Sequence, residues 1–380
     1  MKVVFWLVAS VARFIGSILW SLNILLFLYT LLVYYLCYYL PLEHWSASML
    51  MISLPIAWGM NVLFLVFWLV TKRPARSVLP LVTLLFGIPF WPRTLGINSA
   101  SQPLAAQNTL RVMSYNVMSF NEYENKHDDK PDAKTPMQDW VIQEPSDVKC
   151  FQEFFNHKNI PSWDIIQRLE KAGYPHRVLL HAPENQREDG FIGVALFSRY
   201  PIVKHGELSF EGENNGFNGL VWADIVAHTD TVRVFSVHME SMGIRVGKLL
   251  KKKDATVVRA ETKGILRKLR DGFILRRDQI HILENFVRES PYPVIVGGDF
   301  NDTPYSVTYG RLRQLLHNAF EDAGRGFGFS YHKPPGFIRI DNQFYDDSSL
   351  KAINYTTVDS VKYSDHYPIV AEYVLNQDQP

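Results

Sequence analysis

Cysteine is nearly absent from this 380-residue chain, which holds only Cys37 and Cys150. Two residues so far apart exclude a disulfide framework and a cysteine-rich zinc site, and two free thiols are expected. Net charge is small as well, +1 at pH 7. That removes any global argument for a nucleic-acid or strongly acidic partner. Acids are scarcest at the start. Among residues 1–100 the lone carboxylate is Glu43, against Lys2, Arg13, Lys72, Arg73, Arg76 and Arg93. No small-residue cleavage site follows a short apolar run, so a removable signal peptide is not expected. Internal repeats are also missing.

Apolar sequence fills the first hundred residues instead. Ile18–Leu40 and Met49–Val70 are each long enough to span a bilayer. A third run, Leu79–Trp91, is shorter and contains Pro80 and Pro89. Three such runs in succession argue for a transmembrane anchor over a buried soluble core. They carry almost no intramembrane charge, which favours an anchor over a transport path. Lys2 and Arg13 precede the first run, the 71–77 segment with its three basic residues follows the second, and the loop between has none. The excess of basic residues then places the N-terminus and the 71–77 loop in the cytoplasm. With the third run spanning, the rest of the chain lies outside; with that run only lying on the surface as an interfacial helix, it is cytoplasmic, and the first arrangement is favoured. The expected organisation is an anchor of two to three helices over 1–96, a polar linker over 97–108 and a second domain over 109–380. The chain is expected to be integral to a membrane, a bacterial inner membrane being the natural case, with the second domain outside the cytoplasm.

The second domain reads differently. Leu110–Val117, Val148–Phe151, Val194–Ser198, Gly219–Val226, Val232–His238, Pro293–Gly298, Ile338–Tyr345 and Ile369–Val374 are short β-rich runs. Helical spacing appears over Ser162–Ala172, Arg277–Ser290 and Pro304–Leu316. Many strands with interspersed helices predict a layered α/β sandwich. Gly324-Arg-Gly-Phe-Gly328 reads as a loop, because no Lys-Ser/Thr and helix follow as a phosphate cradle requires. Tyr331 and His332 could line a cleft, but surface loop is the preferred reading.

Polar residues recur where these strands stop: Asn116, Gln152-Glu153, His238, Asp299 with Asn301, Asp341, and Asp365-His366. One strand-end Asn or Asp is ordinarily a turn or cap. The set is more than that. Glu153 and Asp365, with Asn116 as a neutral partner, are hard oxygen ligands suited to magnesium. No dense Cys/His cluster competes for zinc. Two histidines and further carboxylates remain to polarise a nucleophile.

The ordered series Ser-Tyr-Asn116, Gln-Glu153, Ser-Val-His238, Gly-Gly-Asp299-Phe-Asn301, Arg-Ile-Asp341 and Ser-Asp365-His366 resembles the endonuclease/exonuclease/phosphatase superfamily. Gly-Asp-Phe-Asn and Ser-Asp-His are its most specific pieces. The resemblance implies a four-layered α/β sandwich, two packed mixed β-sheets flanked by helices, with the site at the sheet edge. It implies a phosphate-ester hydrolase using Mg2+, with Mn2+ as the alternative. Glu153 would hold the metal, helped by Asn116 and Asp365. Asp299 would orient or deprotonate the attacking water, and Asn301 would contact the phosphate. Asp341 and His366 would pair, and His238 would contact a phosphate oxygen or assist the leaving group.

Ser-Val-His238 is similar to the branch holding non-specific deoxyribonucleases, sphingomyelinases and inositol-polyphosphate phosphatases. The inositol-phosphatase signatures, Trp before Gly-Asp and Cys-Asp-Arg at the Asp341 step, are missing. Asn342-Gln-Phe-Tyr345 departs from the aromatic-aliphatic strand usual after that aspartate. The anchor favours a substrate at the bilayer, a phospholipid or sphingolipid headgroup, with nucleic acid as the rival. Between Gly243 and Ile280 lie twelve Lys or Arg against four Asp or Glu. That stretch suits anionic lipid or phosphate, nucleic acid, or merely a solvated helical face. A binding scaffold on an inactive fold is disfavoured because Glu153 and Asp299 are both present. The bilayer and a phosphate ester are thus the expected partners, and no protein partner is inferred.

Overall fold

The computed structural model describes the chain apart from residues 1, 41–43, 100–107, 123–134, 181–185, 188–189, 211–216, 244–254, 335 and 376–380. The expected linker 97–108 falls mostly outside the described residues, as do Lys251–Lys253. Two compact units emerge: Met1–Trp91 with Tyr305–Gly310, and Pro92–Pro304 with Arg311–Pro380.

The first unit is helical: α1 (Lys2–Tyr39), α2 (Trp45–Met51), α3 (Leu54–Val70) and α4 (Pro74–Phe86), followed by a 3-10 segment, Ile88–Arg93. Arg13–Tyr39 and Trp45–Val70 are long and apolar enough to cross a membrane. Their polarity is inverted relative to a soluble bundle. Asn23, Thr30, Asn61 and Thr83 are fully buried, while Phe14, Leu25, Leu28, Ile56, Leu63 and Val70 are exposed. The buried polar groups join the helices. Asn61 Nδ2 donates to Thr30 Oγ1 (3.1 Å), Trp68 Nε1 to Asn23 Oδ1 (3.0 Å), Trp58 Nε1 to Tyr34 OH (2.7 Å), and Tyr34 OH to Thr83 O (3.0 Å). Hydrogen bonds of this kind tie helices together where apolar contact alone gives no preference. Tyr305 and Val307 are buried in the same cluster as Tyr34, Leu36 and Phe90, and Tyr305 OH donates to Phe90 O at 3.3 Å. Nothing in the local sequence signals that a segment so late in the chain packs here.

The second unit contains strands β1 (Leu95–Ile97), β2 (Thr109–Asn116), β3 (Val148–His157), β4 (His176–Leu179), β5 (Gln186–Arg187), β6 (Gly190–Ser198), β7 (Ile202–Ser209), β8 (Gly219–Ala227), β9 (Asp230–His238), β10 (Val294–Asp299), β11 (His317–Asn318), β12 (Arg325–Phe327), β13 (Asp341–Tyr345), β14 (Leu350–Thr357) and β15 (Ile369–Leu375). Its helices are α5 (Pro136–Gln143), α6 (Ile165–Lys171), α7 (Ala255–Arg288), α8 (Val307–Arg313) and α9 (Ala319–Ala323). One sheet runs β14-β15-β2-β3-β6-β4, with β5 on β6. The other runs β11-β13-β10-β9-β8-β7. Each is antiparallel except for one central parallel pair, β2/β3 and β9/β10. The stretch expected as a loop, Gly324–Gly328, instead contributes β12, which pairs antiparallel with β1.

Period-2 alternation explains the layers. In β2, Leu110 and Val112 enter a core between the sheets with Cys150, Val234 and Ile295. Met113 and Tyr115 point the other way, toward Met137 and Val141 of α5 and Ile165 and Leu169 of α6. The C-terminal half of α7 buries Phe273, Ile280 and Leu283. The predicted four-layered sandwich is therefore observed, two packed mixed sheets between helices.

One buried cation sits in this fold. Lys149 on β3 is fully buried, donates to Val141 O at 2.6 Å, and lies 3.4 Å from Glu144 Oε2. Burial lowers its ammonium from 10.5 to about 8, against the pull of Glu144. The folded chain therefore holds fewer protons than the unfolded one between those values, and this site makes stability rise with pH across that window. Lys149→Met should lose that rise and, at pH 7, about 1–3 kcal/mol for the carbonyls left without a donor. Thermal unfolding of both proteins from pH 7 to 10 tests this. A gap between them that fails to widen with pH would refute it.

Candidate active site

The inter-sheet face changes character along the strands. At one end Val112, Cys150, Val234 and Ile295 make an apolar layer. Two residues further on stand Ser114, Gln152, Ser236 and Gly297. Here Gln152 Nε2 donates to Ser114 Oγ (3.3 Å) and Ser236 Oγ (3.2 Å), bridging the sheets. One more step brings Asn116, His238 and Asp299. Asp299 stands in register with His238 on one side and Asp341 on the other. The same periodicity that buries the core thus delivers polar groups to one shared edge.

Asp299 is the node. It is buried, so its carboxylate needs donors. Asn116 Nδ2 donates to Oδ2 (3.0 Å) and Asn301 N to Oδ1 (2.9 Å). His238 Nε2 and His366 Nε2 each lie 3.7 Å from Oδ2. His238 gives its Nδ1–H to Phe217 O at 2.9 Å, which fixes the tautomer and leaves Nε2 facing the carboxylate. Asn116 Nδ2 also donates to Glu153 Oε1 (3.1 Å), while Asn116 Oδ1 accepts from Met118 N (3.0 Å). Asn116 acts here as a donor between two carboxylates. Asn301 is similarly engaged, its Nδ2 donating to Met239 O at 2.9 Å, so it closes the turn behind Asp299.

Backbone conformation aims these groups. Pairing of β3 with β6 slips between Phe151 and Phe154, and Glu153 sits in that irregularity at φ +50°. Bulges re-aim side chains in this way. Met118, Ser119, Phe120 and Asn121 all have positive φ. Such a run costs roughly 1–2 kcal/mol per residue. Fully buried Phe120, packed edge-on to Phe154 at 5.6 Å, holds it in place beside Asn116.

His366 Nδ1 bonds Asp341 Oδ2 at 2.9 Å. Burial alone would lower the imidazole, but Asp341, Asp299 and Asp365 outweigh it and push it up to about 10. Asp365 Oδ1 is 4.0 Å from His366 Nε2. All eight residues singled out in the sequence therefore belong to one linked network.

Others were not foreseen. Ser330 Oγ accepts from both Ile340 N and Asp341 N at 3.0 Å. Ser364 Oγ donates to Asn116 O (2.8 Å) and accepts from His366 N (3.2 Å). Tyr331, read as surface loop, packs edge-on to His366 at 5.2 Å. Serines in loops carry no periodic signal. Only the Ser-Asp-His string pointed to one of them.

The donor set suits a hard divalent cation. Glu153 and Asp365 offer partly exposed carboxylates. No thiolate competes, since Cys150 is buried with Sγ turned to Phe235 O at 3.8 Å. Asp299, Asp341 and His366 bring metal-capable atoms within 4.8 Å of one another. Asp341 Oδ1 is buried and accepts from no donor among the described residues, an atom that a cation or water would satisfy.

An edge of hard-oxygen ligands around a histidine–carboxylate pair defines a metal-assisted hydrolytic site. The family comparison specifies it. Residues 113–366 match the model described as Endonuclease/Exonuclease/phosphatase family, and the chain belongs to that family. Its second unit is accordingly a phosphoester hydrolase of a divalent-metal-dependent family. Residues 16–94 match a domain of unknown function. Comparison with curated proteins gives no match. Among solved structures, a family protein from Bacteroides thetaiotaomicron superposes with TM-score 0.51 at 17% identity, covering 72% of this chain and 100% of that one. One from Bacteroides vulgatus gives 0.49 at 15%, covering 70% and 99%. The human Nocturnin catalytic domain gives 0.47 at 16%, covering 72% and 97%. Identities this low speak for fold alone.

The Asp341–His366 pair has a titratable signature. A raised imidazole contributes stability fully present below about pH 6.5, lost as pH rises through about 10. In metal-free protein the His366 ring, followed by NMR, should titrate far above the ordinary range. Asp341→Asn should return it toward that range. An unchanged midpoint in the variant would show that the carboxylate does not hold the proton.

Proposed function

We propose that this chain is a membrane-anchored phosphodiesterase acting on lipid headgroups at the bilayer surface, with Mg2+, or alternatively Mn2+, as its metal. The observation that carries the membrane part is the inverted helical unit, with polar side chains inside and large apolar ones outside. A soluble core helix would be mostly buried, and a signal sequence would not account for Trp45–Val70. Arg76 supports the orientation drawn from the basic residues. Its guanidinium lies 5.4 Å from the Trp20 ring centre and 5.1 Å from that of Trp68, and Nη1 donates to Gly16 O at 2.8 Å. Arginine with tryptophan is typical of a membrane interface. α4 alone rises about 20 Å, so a third span needs the apolar 3-10 segment after it as well. With that third span the catalytic unit lies outside the cytoplasm of a bacterial inner membrane, the reading proposed here.

The reaction is in-line attack of water on phosphorus. A divalent ion held by Glu153 with Asp365 would neutralise charge on the phosphoryl oxygens. Asn116, expected as a further ligand, here positions Glu153 through its Nδ2, its Oδ1 being taken by Met118 N. Asp299, fixed by Asn116 and the Asn301 amide, orients the water and takes its proton. His366, kept cationic by Asp341, faces the developing negative charge. His238 presents Nε2 toward a phosphate oxygen or the leaving group.

Nucleic acid is the second reading. The exposed Lys263, Arg267, Lys268 and Arg270 on α7 favour it, because clustered cations bind phosphate backbones without sequence preference. Full-length protein with vesicles of sphingomyelin and glycerophospholipids decides between them. Magnesium-dependent release of phosphorylated headgroup is expected, abolished by chelator. Asp299→Ala and His366→Ala should each lower turnover roughly 10^2- to 10^4-fold without unfolding the chain. Hydrolysis of bis(p-nitrophenyl) phosphate without headgroup release would discard the lipid assignment and move nucleic acid forward.

A further inference from the structure

Two loops leave the catalytic edge, one after His238 and one after Asp299, and both end against the same turn of α7. Arg276 is fully buried. Its Nε donates to Asp302 Oδ2 (3.2 Å) and its Nη1 to Glu240 O (2.9 Å). One turn later, Gln279 Oε1 accepts from Glu240 N at 2.9 Å. The loops also hold each other: Met239 N donates to Asp299 O (3.0 Å) and Asn301 Nδ2 to Met239 O (2.9 Å). Glu240 Oε2 in turn accepts from Asn218 Nδ2 at 2.6 Å, next to Phe217, whose carbonyl fixes His238. The bonds close a ring from α7 through Glu240, Met239, Asn301 and Asp302 back to α7.

Gly272 is the second, independent sign. A Cβ there would stand 2.9 Å from Met242 Cγ and 3.1 Å from Arg276 Nη1. Glycine is a poor residue inside a helix, yet one stands where a Cβ would press on Met242 and crowd the guanidinium.

We propose that Arg276 and Gln279 are positioning residues, a clamp by which α7 sets the spacing of His238 and Asp299. The proposal rests on reading the site as a phosphoester-hydrolysing centre. Neither residue touches substrate. Arg276 acts through Asp302 and Glu240, and its planar fork reaches two acceptors, which the single ammonium of lysine does not match. Displacement of reacting groups by about 1 Å costs up to roughly 100-fold in rate.

The test uses the full chain and bis(p-nitrophenyl) phosphate, with peptide-resolved hydrogen exchange beside the kinetics. Arg276→Gln should lower kcat by about 10- to 100-fold with little change in KM. Arg276→Lys should restore only part of it. Exchange should accelerate in peptides covering 217–218, 238–242 and 299–303 and nowhere else in the unit. The double variant Arg276→Gln/Asp302→Asn should lose no more than the worse single change, since both break one ring. Unchanged kcat and exchange in a folded Arg276→Gln protein would overturn the proposal, as would losses that multiply, or protection lost uniformly across the unit. Should Arg276→Gln not fold, Gly272→Ala and Gln279→Leu carry the same readouts. If wild-type protein hydrolyses no phosphoester, the functional reading falls and exchange alone judges the clamp.

Discussion

The hydrogen bond from Asn116 Nδ2 to Asp299 Oδ2 crosses from one sheet to the other at the catalytic edge. A carboxylate buried so deeply is costly unless its oxygens are satisfied. Asp299 draws its donors from β2 in the opposite sheet and from the turn after its own strand. The two sheets must therefore meet at a fixed spacing for the charge to be tolerated. Below it, Gln152 repeats the crossing with neutral partners, between Ser114 and Ser236. Lower still, Val112, Cys150, Val234 and Ile295 close the gap without polar groups. Each layer holds the next in register, because a slip of one residue would turn every one of these side chains to the opposite face.

This arrangement explains why the site was legible in the sequence. A polar residue at the end of an alternating strand lies on the same face as the apolar ones two and four residues before it. Asn116, His238 and Asp299 each follow that rule, so strand and site residue are read together. Strands without that signal were missed. β7 is an edge strand and mostly solvent-facing, and β4 is four residues long. α7 runs from Ala255 to Arg288, where the apolar spacing predicted only its end from Arg277. Its residues 262–270 are mostly exposed and rich in Lys and Arg, so helical periodicity there has no core to reveal it. The two compact units divide between Trp91 and Pro92, and Leu95–Ile97 pairs with β12. Ligand chemistry was legible as residue type but not as orientation. No sequence pattern tells whether an asparagine turns oxygen or nitrogen inward, and Asn116 and Asn301 both spend their nitrogens on internal acceptors.

The carboxylates of the edge differ in how they are offset. Asp341 is met by His366, Asp302 by Arg276, and Asp299 by uncharged donors with two imidazoles at 3.7 Å. Asp299 takes its direct hydrogen bonds from an amide side chain and a backbone N–H, while the His366 ring, held cationic by Asp341, stands 3.7 Å away. These donors hold the carboxylate in place at the edge. On the proposed reading the partners separate the roles: Asp341 keeps a proton on His366, Asp302 anchors a loop, and Asp299 acts on water.

Anchoring changes what such a site must accomplish. A soluble hydrolase must gain all of its substrate encounter from diffusion and from its own binding groups. Helices that bury Asn23, Thr30 and Asn61 and present Leu25, Leu28 and Leu63 outward suit an apolar solvent, which on the proposed reading is a bilayer. Tethering there would make encounter with a lipid headgroup effectively intramolecular, with the concentration set by the tether and not by affinity. The catalytic edge would then need little binding energy of its own for the headgroup. Its interactions can be concentrated on the phosphorus and on the charge that develops there, the part of the reaction in which binding raises turnover.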